Sequence, residues 1–163
     1  MSNPIVENLE TAFSLFLNGI SEPGSNVLSI SLSSGCLSDD TIVDPNINAP
    51  CRAVEVTDKS QHFEVSFETY VFYAIINESH GLIEPDAIFT GKKIRKYERS
   101  NLLEAVEKIS CPYDIFGERP LKHFEILTEN HLVNVVSYDD PQITFLPHPP
   151  HQAFKNAQIW QRA

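Results

Sequence analysis

The sequence has little that would support cysteine chemistry. Its three cysteines, Cys36, Cys51 and Cys111, are odd in number and share neither a CxxC pattern nor zinc-type spacing. This pattern favours free thiols in a reducing compartment over a disulfide framework. A chain of 163 residues buries roughly two thirds of its unfolded surface, so it needs no such links to hold a core.

Long apolar runs are also missing. No segment approaches the roughly 20 apolar residues that span a bilayer. The first residues, MSNPIVENLETAF, carry Glu7 and Glu10 and no basic segment, so they do not resemble a secretory signal. We therefore expect a cytoplasmic protein without membrane contact. Its apolar fraction of 42% and charged fraction of 21% are near those of globular domains.

Familiar catalytic and cofactor patterns are lacking as well. No glycine-rich phosphate loop is present, and His148 and His151 flank two prolines without a third ligand in sequence. Cys36 lies in SSGCLSDD, where Asp39 and Asp40 disfavour the thiolate that a nucleophile requires. The sequence therefore predicts no cofactor, no metal and no catalytic set, and we expect the protein not to be an enzyme.

Basic residues are scarce in the first half of the chain. Residues 1–90 contain 13 acidic residues against Arg52 and Lys59, a balance of −11, whereas residues 91–163 have a balance of +1. Such a field disfavours DNA and anionic membranes and would steer a basic protein toward the first half. Solubility is the simpler explanation of the same charge.

The hydrophobic pattern predicts an α+β fold with a mostly antiparallel sheet and two helices packed on one face. An amphipathic helix is expected over residues 4–18, and a second helix follows the cap residue Ser100. Residues 35–50, rich in Ser, Asp, Asn and Pro, are predicted to form a long acidic surface loop. Strands are expected at 26–34, 53–56, 62–76 and 94–97, in a hairpin within 121–140, and at 142–146.

The domain organisation follows from the same pattern. Without repeats or a break in composition, residues 1–147 are expected to form one α+β domain. Residues 148–163 are expected to form a tail with a proline-rich stem that docks on the domain. Its docking residues would be Phe154, Ile159 and Trp160.

The stretch LKHFEILTENHLVNVVSYDD places His123 and His131 on either side of a predicted turn at 129–130. That turn pairs apolar residues with apolar residues, whereas a slip of one position would not. The two histidines then lie on opposite faces of the ribbon, so we predict no joint metal or acid/base site. The predicted register pairs Thr128 with His131, Leu127 with Leu132, Ile126 with Val133 and Phe124 with Val135.

Two further charge patterns have structural interpretations. Glu64 and Glu68, on one strand face, would be separated by about 13 Å, too far for a glycosidase pair and typical of a solvated acidic stripe. A basic cluster is interpreted as edge protection or as pairing with the acidic half, with a phosphate or RNA ligand as the alternative. This cluster consists of Lys92, Lys93, Arg95, Lys96 and Arg99.

These observations favour a small acidic binding protein. Its most concrete form is a bacterial immunity or antitoxin-like inhibitor whose acidic surface meets a basic toxin or nuclease and whose aromatic residues anchor the contact. The predicted partner-binding residues are Asp39, Asp40, Asp44, Glu64, Glu68, Tyr70 and Phe72.

Two alternatives stay open. One is a small-ligand-binding protein or hydrolytic enzyme whose pocket holds a histidine beside Glu78 or Glu125. The candidate histidines are His62, His80 and His123. The other alternative is a homo-oligomeric module, such as a homodimer. In this module the aromatic end of the long strand at 62–76 is buried between subunits.

Overall fold

The structure, a computed structural model, describes residues 3–45, 48–81, 84–110 and 119–148. The helices in this part of the chain are α1 (Pro4–Thr11), α2 (Asn101–Ile109) and a 3-10 turn (Glu78–His80). Ten strands accompany them: β1 (Ser14–Gly24), β2 (Val27–Asp44), β3 (Ala49–Glu55), β4 (His62–Phe67), β5 (Tyr70–Asn77), β6 (Ile88–Thr90), β7 (Ile94–Arg99), β8 (Lys122–Leu127), β9 (His131–Ser137) and β10 (Gln142–Leu146).

The strands form two antiparallel sheets of five strands each. The first sheet has the order β1-β2-β4-β10, with β3 paired to the far part of β2. The second sheet has the order β5-β9-β8-β7-β6. The predicted mostly antiparallel sheet is confirmed, and strands dominate the fold more than the α+β expectation implied.

The main core lies between the two sheets. Phe67 of β4 packs against Phe124 of β8 with ring centroids 5.4 Å apart, and Leu9 of α1 covers the same core. Each fully buried side chain of this size stabilises the fold by about 1.5–3 kcal/mol. The other fully buried members are Leu15, Leu28, Ile30, Leu32, Phe63, Val65, Ile126, Val133 and Val135.

A smaller cluster forms where α2 covers the outer face of the second sheet. Val106 of the helix meets Val136 and Tyr138, and Phe72 of β5 packs against the same group. Ser100 caps the helix as predicted, since its hydroxyl accepts the N–H of Leu103 at 3.1 Å. The predicted strands at 26–34 and 142–146 are also confirmed, within β2 and as β10.

The predicted N-terminal helix is too long. The chain leaves the helix at Ala12, and residues 14–24 pair with β2 as β1. The short apolar run from Phe13 to Leu17 fits both the helical and the strand period, so pairing with β2 decides its conformation. Leu17 accordingly lies opposite Leu32 in the sheet.

The predicted acidic loop over 35–50 is wrong for most of its length. β2 continues to Asp44, and β3 returns from Ala49 beside it. Three β-branched residues in succession, Thr41 to Val43, favour extended backbone. The turn after them begins at Pro45, and Asn48, at φ 48°, donates its N–H to the carbonyl of Asp44.

The predicted long strand over 62–76 is two strands in different sheets. The chain turns at Glu68 and Thr69, so β4 belongs to the first sheet and β5 to the second. The hydroxyl of Thr69 fixes this crossing, because it contacts Ser137 Oγ at 3.2 Å and Asp139 Oδ2 at 3.0 Å. The alternation of apolar residues continues through the turn, which is why the pattern alone did not reveal it.

Glu10 attaches α1 to the second sheet. Its carboxylate accepts the backbone N–H groups of Lys92, Lys93 and Ile94 at 2.6, 3.0 and 3.0 Å. Gly91 precedes these amides with φ +90°, and an added Cβ would lie 2.0 Å from the carbonyl oxygen of Ile94. The turn that presents the three donors therefore requires glycine.

Replacing Glu10 with glutamine should detach the helix from this turn. We expect Glu10→Gln to lower the free energy of unfolding by about 1–3 kcal/mol, because a charged acceptor is lost and an amide N–H group is introduced among donors. Urea unfolding measures the change. The control is Glu7→Gln on the exposed part of the same helix, and equal losses in both variants would contradict the role of Glu10.

Candidate functional site

Three of the predicted partner-binding residues lie on a two-stranded ribbon, here called the acidic arm and defined as residues 36–45 and 48–55. The pairing of β2 with β1 stops at Gly35, and its pairing with β4 stops at Ser33. Beyond these positions β2 pairs with β3 alone among the described strands. Both faces of the ribbon are consequently open to solvent near its end.

Exposed apolar and acidic side chains lie close together along the arm. Ile42 is 48% exposed and Val43 is 63% exposed, and they lie on opposite faces because they are adjacent in β2. The side chain of Asp39 is 95% exposed, and Asp40 is exposed beside it. Leu37, at 42%, adds a third exposed apolar side chain at the base.

Arg52 holds the base of the arm. The register between β2 and β3 is irregular between Leu37 and Thr41, which leaves carbonyl groups of β2 without a strand partner there. The guanidinium of Arg52 donates from Nε to the carbonyl of Ser38 at 2.5 Å and from Nη2 to that of Leu37 at 3.4 Å. Its Nη2 also lies 3.7 Å from the carboxylate of Asp39.

The seven predicted partner-binding residues do not form one surface. Asp39, Asp40 and Asp44 lie on the acidic arm. Glu64 lies on β4, where its carboxylate accepts the hydroxyl of Ser29 at 2.6 Å. Glu68 lies in the turn that leads to the second sheet and accepts the side-chain amide of Gln142 at 3.2 Å.

The two predicted aromatic anchors contact the protein interior. Tyr70 packs against the main core and meets Tyr73 edge-on at 5.7 Å between ring centroids. Burial, followed by the hydrogen bond and charge of Glu22, raises the pKa of Tyr70. Phe72 packs under α2. The exposed apolar residues that could replace them as anchors are those of the acidic arm.

An open groove lies beside the base of the arm, with a volume of about 450 Å³. Its lining residues include Thr11 at the end of α1, Phe13 just after it, Cys36 of β2, and Lys59. Cys36 is a free thiol 3.9 Å from the hydroxyl of Ser60. None of the histidines among the described residues lines this groove, so it offers no base for a cysteine nucleophile.

The most concentrated titratable cluster lies on the outer face of the second sheet, around His123. The ring is 3% exposed and stacks on Tyr97 at 4.4 Å between centroids. Its Nε2 lies 2.9 Å from Asn134 Oδ1, and its Nδ1 lies 2.7 Å from the hydroxyl of Ser100. Because the amide oxygen can only accept, Nε2 carries the proton and Nδ1 accepts from the hydroxyl.

Glu125 completes this cluster beside the histidine. One of its oxygens accepts from Tyr97 Oη at 2.8 Å and from Arg95 Nη1 at 3.0 Å. Burial and the bonded carboxylate raise the pKa of Tyr97 to about 12. Burial lowers the pKa of His123, although Asn134 and the charge of Glu125 act in the opposite direction. The cluster is a saturated hydrogen-bond network around a neutral ring.

The predicted hairpin register is confirmed, since Leu127 pairs with Leu132 and Ile126 with Val133. His123 and His131 lie on opposite faces of this ribbon, as expected, and cannot bind one ion together. His62 contacts Ser33 Oγ through Nδ1 at 2.7 Å, and burial, with His148 nearby, lowers its pKa.

The remaining sequence candidates do not converge. Glu78 and His80 lie in the exposed 3-10 turn after β5. His151 and the predicted docking residues of the tail lie outside the described residues. Within the part of the chain that the structure describes, no group of three His, Cys, Asp or Glu side chains is placed to hold a metal ion.

Side chains of the predicted basic cluster bind groups of the same molecule. Arg95 pairs with Glu125, and the ammonium of Lys96 lies 2.5 Å from Asp140. This contact, outweighing burial, lowers the pKa of Asp140. The guanidinium of Arg99 donates to the carbonyl of Asp86 at 2.7 and 3.1 Å. These side chains pair within the molecule, but Glu125 and Asp140 belong to the second half of the chain and not to the acidic half that was predicted to supply the partners.

Comparisons with protein-family models, with curated proteins and with solved structures found no match to this chain. Among the described residues, no helix is long and apolar enough to cross a membrane.

Sequence reasoning missed two residues that position the arm and the first helix. Arg52 is one of two basic residues among the first 90, and a lone arginine in an acidic segment is a usable signal for such a contact. Glu10 offered no comparable signal, because its three donors are backbone amides more than 80 residues away in the chain.

Acid should destabilise the fold through His123. Because burial lowers the pKa of this ring below its usual 6.5, the unfolded chain takes up a proton that the folded protein refuses. The free energy of unfolding should therefore fall as the pH drops below 6.5 toward the lowered pKa, with no contribution above 6.5.

Urea unfolding of His123→Gln between about pH 5 and 8 tests this expectation. The variant should lose part of the pH dependence and retain the part contributed by His62, whose pKa is lowered in the same direction. His80→Gln, in the exposed 3-10 turn, is the control. If the free energy of unfolding depends on pH in His123→Gln as it does in the wild type, the ring does not titrate as described.

Proposed function

We propose that this protein is a binding protein that recognises a basic protein through its acidic arm. The most concrete form is a cytoplasmic inhibitor of the immunity or antitoxin kind, which covers a toxin or nuclease surface. The observation that carries the proposal is the arm itself, where exposed apolar side chains lie beside exposed carboxylates on a ribbon open on both faces.

The charge around the arm supports a basic partner. The described residues of the arm include four acidic residues, Asp39, Asp40, Asp44 and Glu55, against one basic residue, Arg52, which is a balance of −3. The net charge of the arm is therefore negative even with Arg52 held beside Asp39. A negative surface accelerates encounter with a basic protein and opposes acidic competitors.

Affinity would come from the apolar residues between these charges. Leu37, Ile42 and Val43 are the exposed hydrophobic residues of β2, and a partner that covers them removes their surface from water. The contacts of Arg52 hold the base of the ribbon before binding. A preordered ribbon loses less conformational entropy on association than a flexible loop.

A small-ligand or hydrolytic role ranks second. The observation that favours it is the placement of His123 and Glu125 side by side on one sheet face. Both ring nitrogens of His123 are already bonded and the side chain is 3% exposed, so a substrate would have to displace this network.

Reversal of two arm charges tests the electrostatic part of the proposal. Asp39→Lys/Asp40→Lys should slow association with the basic partner by about tenfold or more and flatten its salt dependence. The control is Glu104→Lys/Glu107→Lys on the exposed side of α2, which changes the net charge equally.

The partner for this measurement is a basic protein that the wild type recovers from the native cells at low salt and releases at high salt. Stopped-flow association at several salt concentrations then gives the rates. If both double variants bind at the wild-type rate, the arm is not the interface.

The exposed apolar residues of the acidic arm should affect the dissociation rate constant. Ile42→Ser/Val43→Ser should accelerate dissociation about tenfold or more while leaving the association rate and its salt dependence almost unchanged, because uncharged contacts form after encounter. Surface plasmon resonance separates the two rates. The control Ile109→Ser alters the isoleucine of α2, which is 77% exposed, and should change neither rate.

A further inference from the structure

The edge strand β5 has few of the features that protect a strand against pairing with another strand. Its sequence, YVFYAIIN, contains no charged residue, no proline and no glycine. β9 is its one partner strand among the described residues, so its outer backbone groups from Phe72 to Asn77 face no other strand. An uncharged apolar edge of this length is a template for strand addition.

The other edges of the two sheets carry the features that discourage such pairing. β1 contains Glu22 and Pro23 and has two irregularities in its register. β3 contains Pro50 and Arg52. β6 is three residues long, and β10 is five residues long between two prolines. Proteins use charge, proline, bulges and short length to block unwanted strand addition. β5 has no charge, no proline and eight residues, and its one register irregularity, between Tyr70 and Phe72, lies before the open part of the strand from Phe72 to Asn77.

The open end of β5 also exposes apolar side chains on both faces. Ile75, paired with Val133, lies on the face toward the first sheet and is 48% exposed. Ile76, paired with Leu132, lies on the outer face and is 40% exposed. The aromatic end of the strand is occupied, since Tyr70 and Phe72 pack against the two hydrophobic clusters.

We propose that β5 is a self-association edge, where two copies of this chain pair antiparallel, β5 to β5, in one continuous sheet of ten strands. The charge pattern selects a second copy as the occupant. The chain carries a net charge of −10, so most faces repel a second copy, whereas β5 brings no charged residue into the contact. Antiparallel pairing of one strand with itself is two-fold and closed, which limits assembly to a dimer.

The pairing is geometrically consistent with both exposed isoleucines. A two-fold axis perpendicular to the sheet keeps each face on its own side. Centred on Ala74, it places Ile75 opposite Tyr73 of the second copy and Ile76 opposite Phe72 of the second copy. Each isoleucine then meets an aromatic residue on its own face, an arrangement that stabilises antiparallel pairs.

Sedimentation equilibrium of the full chain tests the proposal, with a concentration series up to the solubility limit. We expect the wild type to reach twice its mass of 18.4 kDa, and Ile75→Lys to stay at the single mass, because a lysine on an edge strand opposes pairing. Ile109→Lys, on α2, should dimerise as the wild type does. Circular dichroism confirms folding, and Ile76→Lys replaces Ile75→Lys if the latter fails to fold.

Three outcomes would overturn the proposal. A wild type of single mass at every concentration would do so, and so would a dimer that survives both Ile75→Lys and Ile76→Lys. Hydrogen exchange gives the third: the amides of residues 72–77 that point away from β9 should become protected with rising concentration. Protection at every dilution in a monomer would show that the same chain covers the strand. Binding of a basic partner to the acidic arm is a separate property, and none of these outcomes depends on it.

Discussion

Packing between the two sheets is the constraint on which the rest of the molecule depends. Phe67 and Phe124 meet across the core, and α1 covers the same core with Leu9. The packing between the two sheets determines which parts of each strand are buried. The acidic arm is the part of the first sheet that extends beyond it, and the His123 cluster lies on the face of the second sheet that points away from it.

The distribution of charge follows from this arrangement. Basic side chains of the second half pair with carboxylates such as Glu125 and Asp140 close to their own strands, and their charge is neutralised locally. The acidic residues of the arm have Arg52 and Lys59 as the basic residues nearest in sequence. In three dimensions, four of the 13 acidic residues of the first half lie together on one exposed ribbon.

The sequence predicted local structure well wherever a single period and a clear end signal coincided. The helix after Ser100 has both a cap and an apolar stripe, and the hairpin around residue 129 had one register that paired apolar residues. Prediction was wrong where a short apolar run fitted two periods, as in residues 13–17, and where a turn did not interrupt the alternation, as at Thr69.

The candidate site was predicted less well than the fold. The acidity around Asp39 and Asp40 was evident from composition, but the same composition suggested a loop and hid the strand formed by Thr41 to Val43. Tyr70 and Phe72 were predicted to be partner anchors because they continued the acidic face of one long strand. Once the chain crosses to the second sheet at residue 69, that face no longer exists.

The place of β10 has a consequence for how the molecule forms. β10 pairs with β4, and Gln142 lies opposite Ser66 across a long stretch of chain that builds most of the second sheet. During synthesis, one edge of β4 therefore has no partner strand until β10 leaves the ribosome. Long-range pairings of this kind slow folding and extend the time for which a strand edge is exposed. The first sheet begins with β1 and is completed by β10, after the strands of the second sheet have been made.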